Sequence, residues 1–277
     1  MFWNKEKETQ SLELKKQYLQ QWQLEPDGAY FFSYASLLQP VIYRHQKAML
    51  KISLEEEEQF GGLLMQWWDG YGAAKVFQYT REALLLERIT GHLSLKQIAA
   101  NGRDDEATGV ICATAKKLHQ TRSKPLPELI DLNDWFYELL HAHEKYSNRF
   151  MTSAAIAREL LETTTTKTVL HGDLHHENIL YSDKRGWLAI DPKRLYGDEG
   201  FEYANLFCNP AKEIALAPGR LQLQLKVVCT ATGIPAKRML QWIAAWSALS
   251  GIWMLSVAED PDVPFTINRM ALTALNR

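Results

Sequence analysis

Little in this chain of 277 residues offers a covalent or metal-held framework. Its three cysteines, Cys112, Cys208 and Cys229, are scattered and odd in number, and no CxxC pair or Cys/His zinc spacing occurs. That argues against a disulfide scaffold or a structural zinc site. Neither sign of charge is in surplus: 31 Lys and Arg stand against 33 Asp and Glu, a net charge of −2. Such a balance lacks the basic footprint of a nucleic-acid binder. No apolar run approaches the roughly 18 residues that a membrane span requires. The opening MFWNKEKETQ contains no apolar stretch of signal-peptide length,. No internal repeat or low-complexity tract is visible. The expectation is a soluble, cytoplasmic protein with no nucleic-acid, membrane or protein partner implied. What is present is a globular composition, 46% hydrophobic and 23% charged,. The length suits one large domain or two smaller ones.

Along the chain, apolar residues recur at helical spacing over residues 8–24, through Leu12, Leu14, Tyr18, Leu19 and Trp22,. Pro26, Asp27 and Gly28 mark a turn,. YFFSYASLL, PVIYR and KAMLKI then read as three antiparallel strands. Four glutamates, Glu55 to Glu58, open a helix predicted over residues 54–68, because acids in a first turn complement the helix dipole,. AKVFQYT and ALLLERI read as two more strands. Beyond residue 90 helices are expected over 94–101, 104–120, 131–145, 149–164, 211–231, 236–257 and 266–275. One interruption, between Lys167 and Asp191, reads as a strand TVL, a polar loop, and a hairpin of ILY and WLAI. The fold class is α+β, with a small β-rich N-terminal lobe over residues 1–89 and a larger, mainly helical C-terminal lobe over 90–277.

The polar loop is the densest cluster of reactive groups: His171, Gly172, Asp173, Leu174, His175, His176, Glu177 and Asn178. Asp173 and Asn178 have the H-x-D-x-x-x-x-N spacing of a kinase catalytic loop, Asp191 follows the hairpin, and Lys51 ends a strand far upstream,. Phosphoryl transfer needs a carboxylate beside the attacking hydroxyl, an amide and a carboxylate for magnesium, and a cation on the nucleotide phosphates. These residues supply that set.

The text around the loop resembles a known family. HGDLHHENIL, GWLAIDPK and GDEGFEYANLFCNP are similar to the aminoglycoside and hydroxyurea phosphotransferases, in particular the streptomycin kinases, and more widely to choline kinases of protein-kinase-like bilobal fold. GYGAAKVFQ and ALLLERI also fit the family, and the likeness spans about residues 30 to 260. The resemblance implies ATP and magnesium as cofactors. It implies Asp173 as the catalytic base or hydroxyl-orienting carboxylate, Asn178 and Asp191 as metal ligands, and Lys51 on the α and β phosphates. Glu87, Arg88 and Ile89 would form the linker that meets adenine, and His171 would support the loop. Three features depart from protein kinases. No GxGxxG is present, and the corresponding turn is expected at residues 33–39. Pro192 follows Asp191, so no activation switch is expected. The glutamate partner of Lys51 is open among Glu56, Glu57 and Glu58, with Glu57 nearest the inward helix face.

The activity implied is transfer of the ATP γ-phosphoryl group to a hydroxyl of a small cationic molecule, streptomycin first, conferring antibiotic resistance. Hydroxyurea or another small metabolite is the alternative acceptor. A catalytically inactive binding module is the competing class, and the intact set Lys51, Asp173, Asn178 and Asp191 argues against it. A guanidinium-bearing acceptor calls for carboxylates. The candidates are Glu177, Glu199, Glu202, Glu259, Asp260 and Asp262, of which at least two are expected to face the cleft beside Asp173. Trp242, Trp246 and Trp253 share a helical stripe, read as core packing in preference to a substrate platform. His171 and His175 as zinc ligands are disfavoured, since Gly172 and Asp173 between them favour a loop.

Overall fold

The computed structural model describes residues 3–276, apart from the side chains of residues 56–60. The chain opens with helix α1 (Lys5–Gln21), whose N-cap Asn4 accepts the Lys7 N–H at 2.9 Å. Six strands follow: β1 (Glu25–Pro26), β2 (Phe31–Phe32), β3 (Ser36–Tyr43), β4 (Gln46–Ser53), then, after helix α2 (Glu56–Trp68), β5 (Val76–Tyr79) and β6 (Ala83–Glu87). They form one antiparallel sheet in the order β1-β3-β4-β6-β5, with β2 also on β3. Two of the expected strands merge into β3, which carries Pro40 between the residues paired to β2 (Leu37, Leu38) and to β1 (Val41, Ile42). There the ladder needs no N–H. The expected turn at residues 33–39 is shorter: Ser33 N–H donates to the Ser36 carbonyl at 2.8 Å, and Ser36 onward is strand.

The second half is helical. It runs through α3 (Leu95–Ala100), α4 (Asp104–Leu118), strand β7 (Ile130–Asp131), the single turns α5 (Leu132–Trp135), α6 (Tyr137–Leu140) and α7 (His143–Tyr146), and α8 (Met151–Thr163). Strands β8 (Thr168–Leu170), β9 (Ile179–Ser182), β10 (Gly186–Ala189) and β11 (Leu195–Gly197) precede α9 (Lys212–Ala215), α10 (Arg220–Thr232), α11 (Ala236–Ser256) and α12 (Asp262–Leu275). The helix expected over 131–145 is broken into three turns, yet Leu132, Phe136, Leu139 and Ala142 still bury one face. The helix expected over 211–231 breaks at Pro218 and Gly219, which has φ +80°. Those residues stop a helix whatever the periodicity around them.

Two apolar clusters result. The smaller joins Tyr18 and Leu24 to sheet residues Leu37, Val41, Leu50, Ile52 and Leu85. The larger is centred on α11 and includes Trp242, which is fully buried. The C-terminal half of α2, with Leu64, Met65, Trp67 and Trp68, belongs to this larger core. The helix thus ties sheet to helical half, and Gly61 sits where α2 meets the segment after Asp191. A Cβ at Gly61 would stand 2.7 Å from the Pro192 carbonyl oxygen.

Candidate active site

The loop at residues 171–178 connects β8 to β9 and is held from beneath by buried ionic groups. Glu202 is buried and accepts the backbone N–H groups of His171 (2.8 Å) and Gly172 (2.9 Å). Its other partner is His119, 2.8 Å from Nε2, with Glu199 3.6 Å from the Nδ1 side. Burial alone would push His119 down, but the carboxylates of Glu199, close by, and of Glu202, to which its Nε2 donates, raise it to about 9. The imidazolium therefore offsets the buried charge of Glu202. Gly172 has φ +83°, and a Cβ there would come within 2.7 Å of the Leu195 side chain. No other residue fits that turn without displacing β11.

His171 is buried. Its Nε2 lies 2.7 Å from the Ile190 carbonyl, and its Nδ1 accepts the Asp173 N–H at 3.2 Å. Since a carbonyl only accepts, Nε2 carries the proton and the ring is neutral. Burial lowers its basicity in the same sense. His171 is a support of the loop.

Asp173 is clasped by two amides. Asn205 Nδ2 donates to Oδ1 at 2.6 Å, and Asn178 Nδ2 donates to Oδ2 at 3.1 Å. Asn205 is in turn fixed by Trp246, whose indole N–H donates to its Oδ1 at 3.1 Å. Burial raises the Asp173 carboxyl above the ordinary carboxylate range, against the pull of His175 and Lys193. A carboxylate so raised is a better proton acceptor. A carboxylate also only accepts, so the Asn178 amide nitrogen must face Asp173, leaving its oxygen for another partner.

Asp191 has φ +63°, a left-handed conformation that aspartate tolerates better than most residues,. Burial alone would raise its carboxyl, but the charge and hydrogen bond of Lys51 hold it low. Lys51 Nζ donates directly to Asp191 Oδ1. Two residues 140 apart in sequence are thereby joined across the cleft.

Two cavities flank these carboxylates. One, of about 350 Å³, lies under the sheet and is mostly aliphatic, with Leu38, Met49, Leu86, Leu180 and Ile190 on its walls. Lys51 and Asp191 close one end, and the Glu87, Arg88 and Ile89 linker lines it too. Glu87 accepts the Lys75 N–H at 3.0 Å and pairs with Arg185. The other cavity, of about 690 Å³, opens in front of Asp173 and is lined by Tyr34, Lys193, Trp246, Trp253, Glu138 and Glu259, among others.

Of the six candidate acids, at least two of them expected to face the cleft beside Asp173, one, Glu259, lines its cavity. Glu177 pairs with Lys96 at 3.0 Å. Glu199 and Glu202 are taken up by the His119 brace, Asp262 pairs with Lys212 at 2.7 Å, and Asp260 accepts the Asp262 N–H at 3.1 Å. The reason is spatial: Glu199 and Glu202 lie on a 3-10 turn beside His119 under the loop, and Asp260 and Asp262 lie at the start of α12. Glu138 is the second carboxylate of the cavity, and sequence did not single it out. Nor did it single out Asn205, although Asn205 lies within the quoted GDEGFEYANLFCNP, or Lys193 within GWLAIDPK. The Glu57 side chain, and those of Glu56 and Glu58, lie outside the described residues. Of the tryptophan stripe, Trp242 is core, while Trp246 and Trp253 pack in the core and also line the cavity.

A β-sheet lobe set on a helical lobe, with a lysine–aspartate pair and a loop carboxylate between them, defines a phosphotransferase of protein-kinase-like fold. Solved structures agree on the fold: an aminoglycoside phosphotransferase, determined as a thermostable mutant with ADP and hygromycin B, superimposes with a TM-score of 0.62 at 12% identity, covering 94% of this chain and 98% of its own. The chain belongs to the aminoglycoside/hydroxyurea antibiotic resistance kinases, whose family pattern matches residues 21–258. Among its relatives, a streptomycin 3''-kinase of Klebsiella pneumoniae is 40% identical over 264 residues, 94% of this chain and 98% of the relative. A streptomycin 6-kinase of Streptomyces griseus is 32% identical over 192 residues, 65% of this chain and 61% of the relative. Among the described residues no helix is long and apolar enough to cross a membrane.

Proposed function

We propose that this chain phosphorylates streptomycin at its 3'' hydroxyl with ATP as donor, and that this inactivation is its role in resistance. The observation that carries the reading is the placement of the amide-clasped Asp173 at the mouth of a cavity that also presents Glu138 and Glu259. Streptomycin carries two guanidinium groups, planar cations that suit carboxylates. The 40% identity to a streptomycin 3''-kinase over nearly both full lengths supports the same acceptor and hydroxyl.

Residues 1–89 act as the nucleotide lobe and 90–277 as the acceptor lobe. Adenine lies in the aliphatic cavity against Glu87, Arg88 and Ile89, and Lys51 meets the α and β phosphates. Asn178 and Asp191 would hold magnesium, offering the oxygen ligands that it prefers. When bound, magnesium neutralises charge on the phosphates. Asp173 orients the acceptor hydroxyl and takes its proton as oxygen attacks phosphorus. Trp246, through Asn205, keeps that carboxylate aimed. Glu57 is the proposed partner of Lys51.

The test is direct. The purified protein is incubated with magnesium-ATP and streptomycin, and the product's phosphate is located by NMR; a 3''-phosphate is expected. Turnover of hydroxyurea with none of streptomycin, or a phosphate at position 6, would overturn the assignment.

A further inference from the structure

Phosphoryl transfer requires positive charge at the group in flight, between donor and acceptor. Lys51 stands on the donor side, bonded to Asp191. The turn at residues 33–36, which overhangs the cleft in place of a glycine-rich loop, consists of Ser33, Tyr34, Ala35 and Ser36 and brings no cation. Arg194 is turned away, its Nη1 3.5 Å from Glu128 Oε1. Of the basic groups beside Asp173, His171 is neutral and buried with both ring nitrogens occupied, and His175 and Lys193 remain. Asp191 faces Lys51 and Lys193. Lys193 is thus the cation common to both. Lys193 lines the cavity in front of Asp173, two residues after Asp191.

Its position is fixed by the backbone. Lys193 N–H donates to the His171 carbonyl at 2.7 Å, which clamps residue 193 to the catalytic loop. The missing side chain at Gly172 makes that approach possible: a Cβ there would stand 3.3 Å from Lys193 Cβ. The left-handed turns at Asp191 and Arg194 bracket the lysine.

We propose that Lys193 is a further catalytic residue, its ammonium holding the γ-phosphoryl group between Asp191 and Asp173 as it passes to the acceptor. The inference rests on the phosphotransfer reading above. In the step, the acceptor oxygen forms a bond to the γ-phosphorus and gives its proton to Asp173. The bond from that phosphorus to the bridging oxygen breaks, and its electron pair leaves with ADP. Lys193 keeps its proton throughout and follows the charge on the non-bridging oxygens.

The experiment compares wild type, Lys193→Met and Lys193→Arg by turnover and by calorimetric binding of magnesium-ADP and of the non-hydrolysable magnesium-AMP-PNP. Lys193→Met is expected to lower kcat by about 10²–10³-fold, as when one preorganised donor is removed. It should weaken AMP-PNP by about ten- to a hundredfold, the scale of a hydrogen bond to a charged group, with ADP nearly unchanged. Lys193→Arg should recover part of both. A lysine that merely neutralised the two aspartates would move ADP and AMP-PNP together, and that result overturns the proposal, as does a Lys193→Met enzyme with wild-type turnover. Thermal melting checks that each variant is folded, and the Arg variant carries the test if Met is not. Should wild type itself fail to bind AMP-PNP or turn over streptomycin, the phosphotransfer reading fails instead.

Discussion

The 350 Å³ cavity behind Lys51 and the 690 Å³ cavity in front of Asp173 flank the same pair of carboxylates but are assembled differently. The walls of the first come largely from short stretches of chain: Met49 and Lys51, Leu84 and Leu86 to Ile89, and Ile190 to Pro192. It is aliphatic, a shape that accepts a flat base and leaves discrimination to a few backbone groups. The second draws on Tyr34, on Trp135 and Glu138, on the catalytic loop, on Asn205 and Asn209, and on one face of α11 and its exit, from Trp246 to Glu259. It is aromatic and carries carboxylates. One cavity is thus suited to a common donor, and the other to a particular acceptor. Substitutions on the two sides should separate kinetically.

The shared wall should fail hardest. Asp173→Asn keeps the shape but loses the proton acceptor, and it leaves Asn178 and Asn205 facing an amide. Turnover should fall by about 10²–10⁴-fold, the scale of general-base catalysis, with ATP affinity nearly unchanged. Rapid-quench kinetics with streptomycin would measure it. A variant within threefold of wild type would remove Asp173 from the chemistry and dissolve the division between the cavities.

Next comes the brace beneath that wall. His119 is raised from 6.5 to about 9 in the folded protein. A group that holds its proton more tightly when folded adds stability that is whole below about pH 6.5, falls as pH rises, and is gone above about pH 9. Its size is on the order of 3 kcal/mol, from linkage at 1.36 kcal/mol per pH unit. Chemical denaturation from pH 6 to 9.5 should show that decline, and His119→Gln should flatten it. An unchanged slope in the variant would mean that the Glu199–His119–Glu202 contact does not hold the loop. The nucleotide cavity lies outside this brace, so ATP affinity should follow pH less than turnover does.

A third test addresses the acceptor side alone. Glu138→Gln and Glu259→Gln should each raise the KM for streptomycin by an amount worth about 1.5–3 kcal/mol, as for a charge-assisted hydrogen bond. The effect belongs in KM because a guanidinium remote from the reacting hydroxyl is held equally in ground and transition states. The KM for ATP should stay put. If both variants raise the two KM values in parallel, the cavities are coupled, and the contrast drawn above is too sharp.

The same contrast explains what sequence could reveal. Lys51, the Glu87 to Ile89 linker, the loop from His171 to Asn178, and Asp191 are local signals. Each sits within or just past a strand, or inside a contiguous polar run, where type and spacing are readable. The acceptor wall offers no such signal, even where it is local. Trp246 and Trp253 lie on α11, where helical periodicity indicates burial alone, and they are indeed packed in the core. That one edge of each also faces a cavity depends on how α11 crosses the loop, which periodicity does not encode. Glu138 looks like any exposed acid of an amphipathic turn. The lobes were legible for the opposite reason, since a change from period 2 to period 3.6 extends over many residues. The breaks inside expected helices were less so. Pro218 and Gly219 stop one, but the segment from 132 to 146 has neither residue and is interrupted while burying the same face.

Glu177 gives the smallest expected effect and the finest discrimination. By sequence it is the acid nearest Asp173 among the candidates, one residue before Asn178. In the fold its side chain is 53% exposed and pairs with Lys96 at 3.0 Å, while Glu259, far along the chain, lines the cavity. An exposed lysine–glutamate pair contributes about 0–1 kcal/mol, because water screens it and two long side chains must be ordered to make it. Glu177→Gln should therefore change the streptomycin KM by no more than about twofold and stability by about 0.5 kcal/mol or less. Measured beside Glu259→Gln under the same conditions, it separates proximity in the chain from proximity in space. A tenfold rise in KM for Glu177→Gln would mean that bound streptomycin reaches past the loop toward α3. The acceptor site would then extend along a second, sequence-local edge, and the opposition between a donor cavity legible in the sequence and an acceptor cavity that is not would no longer hold.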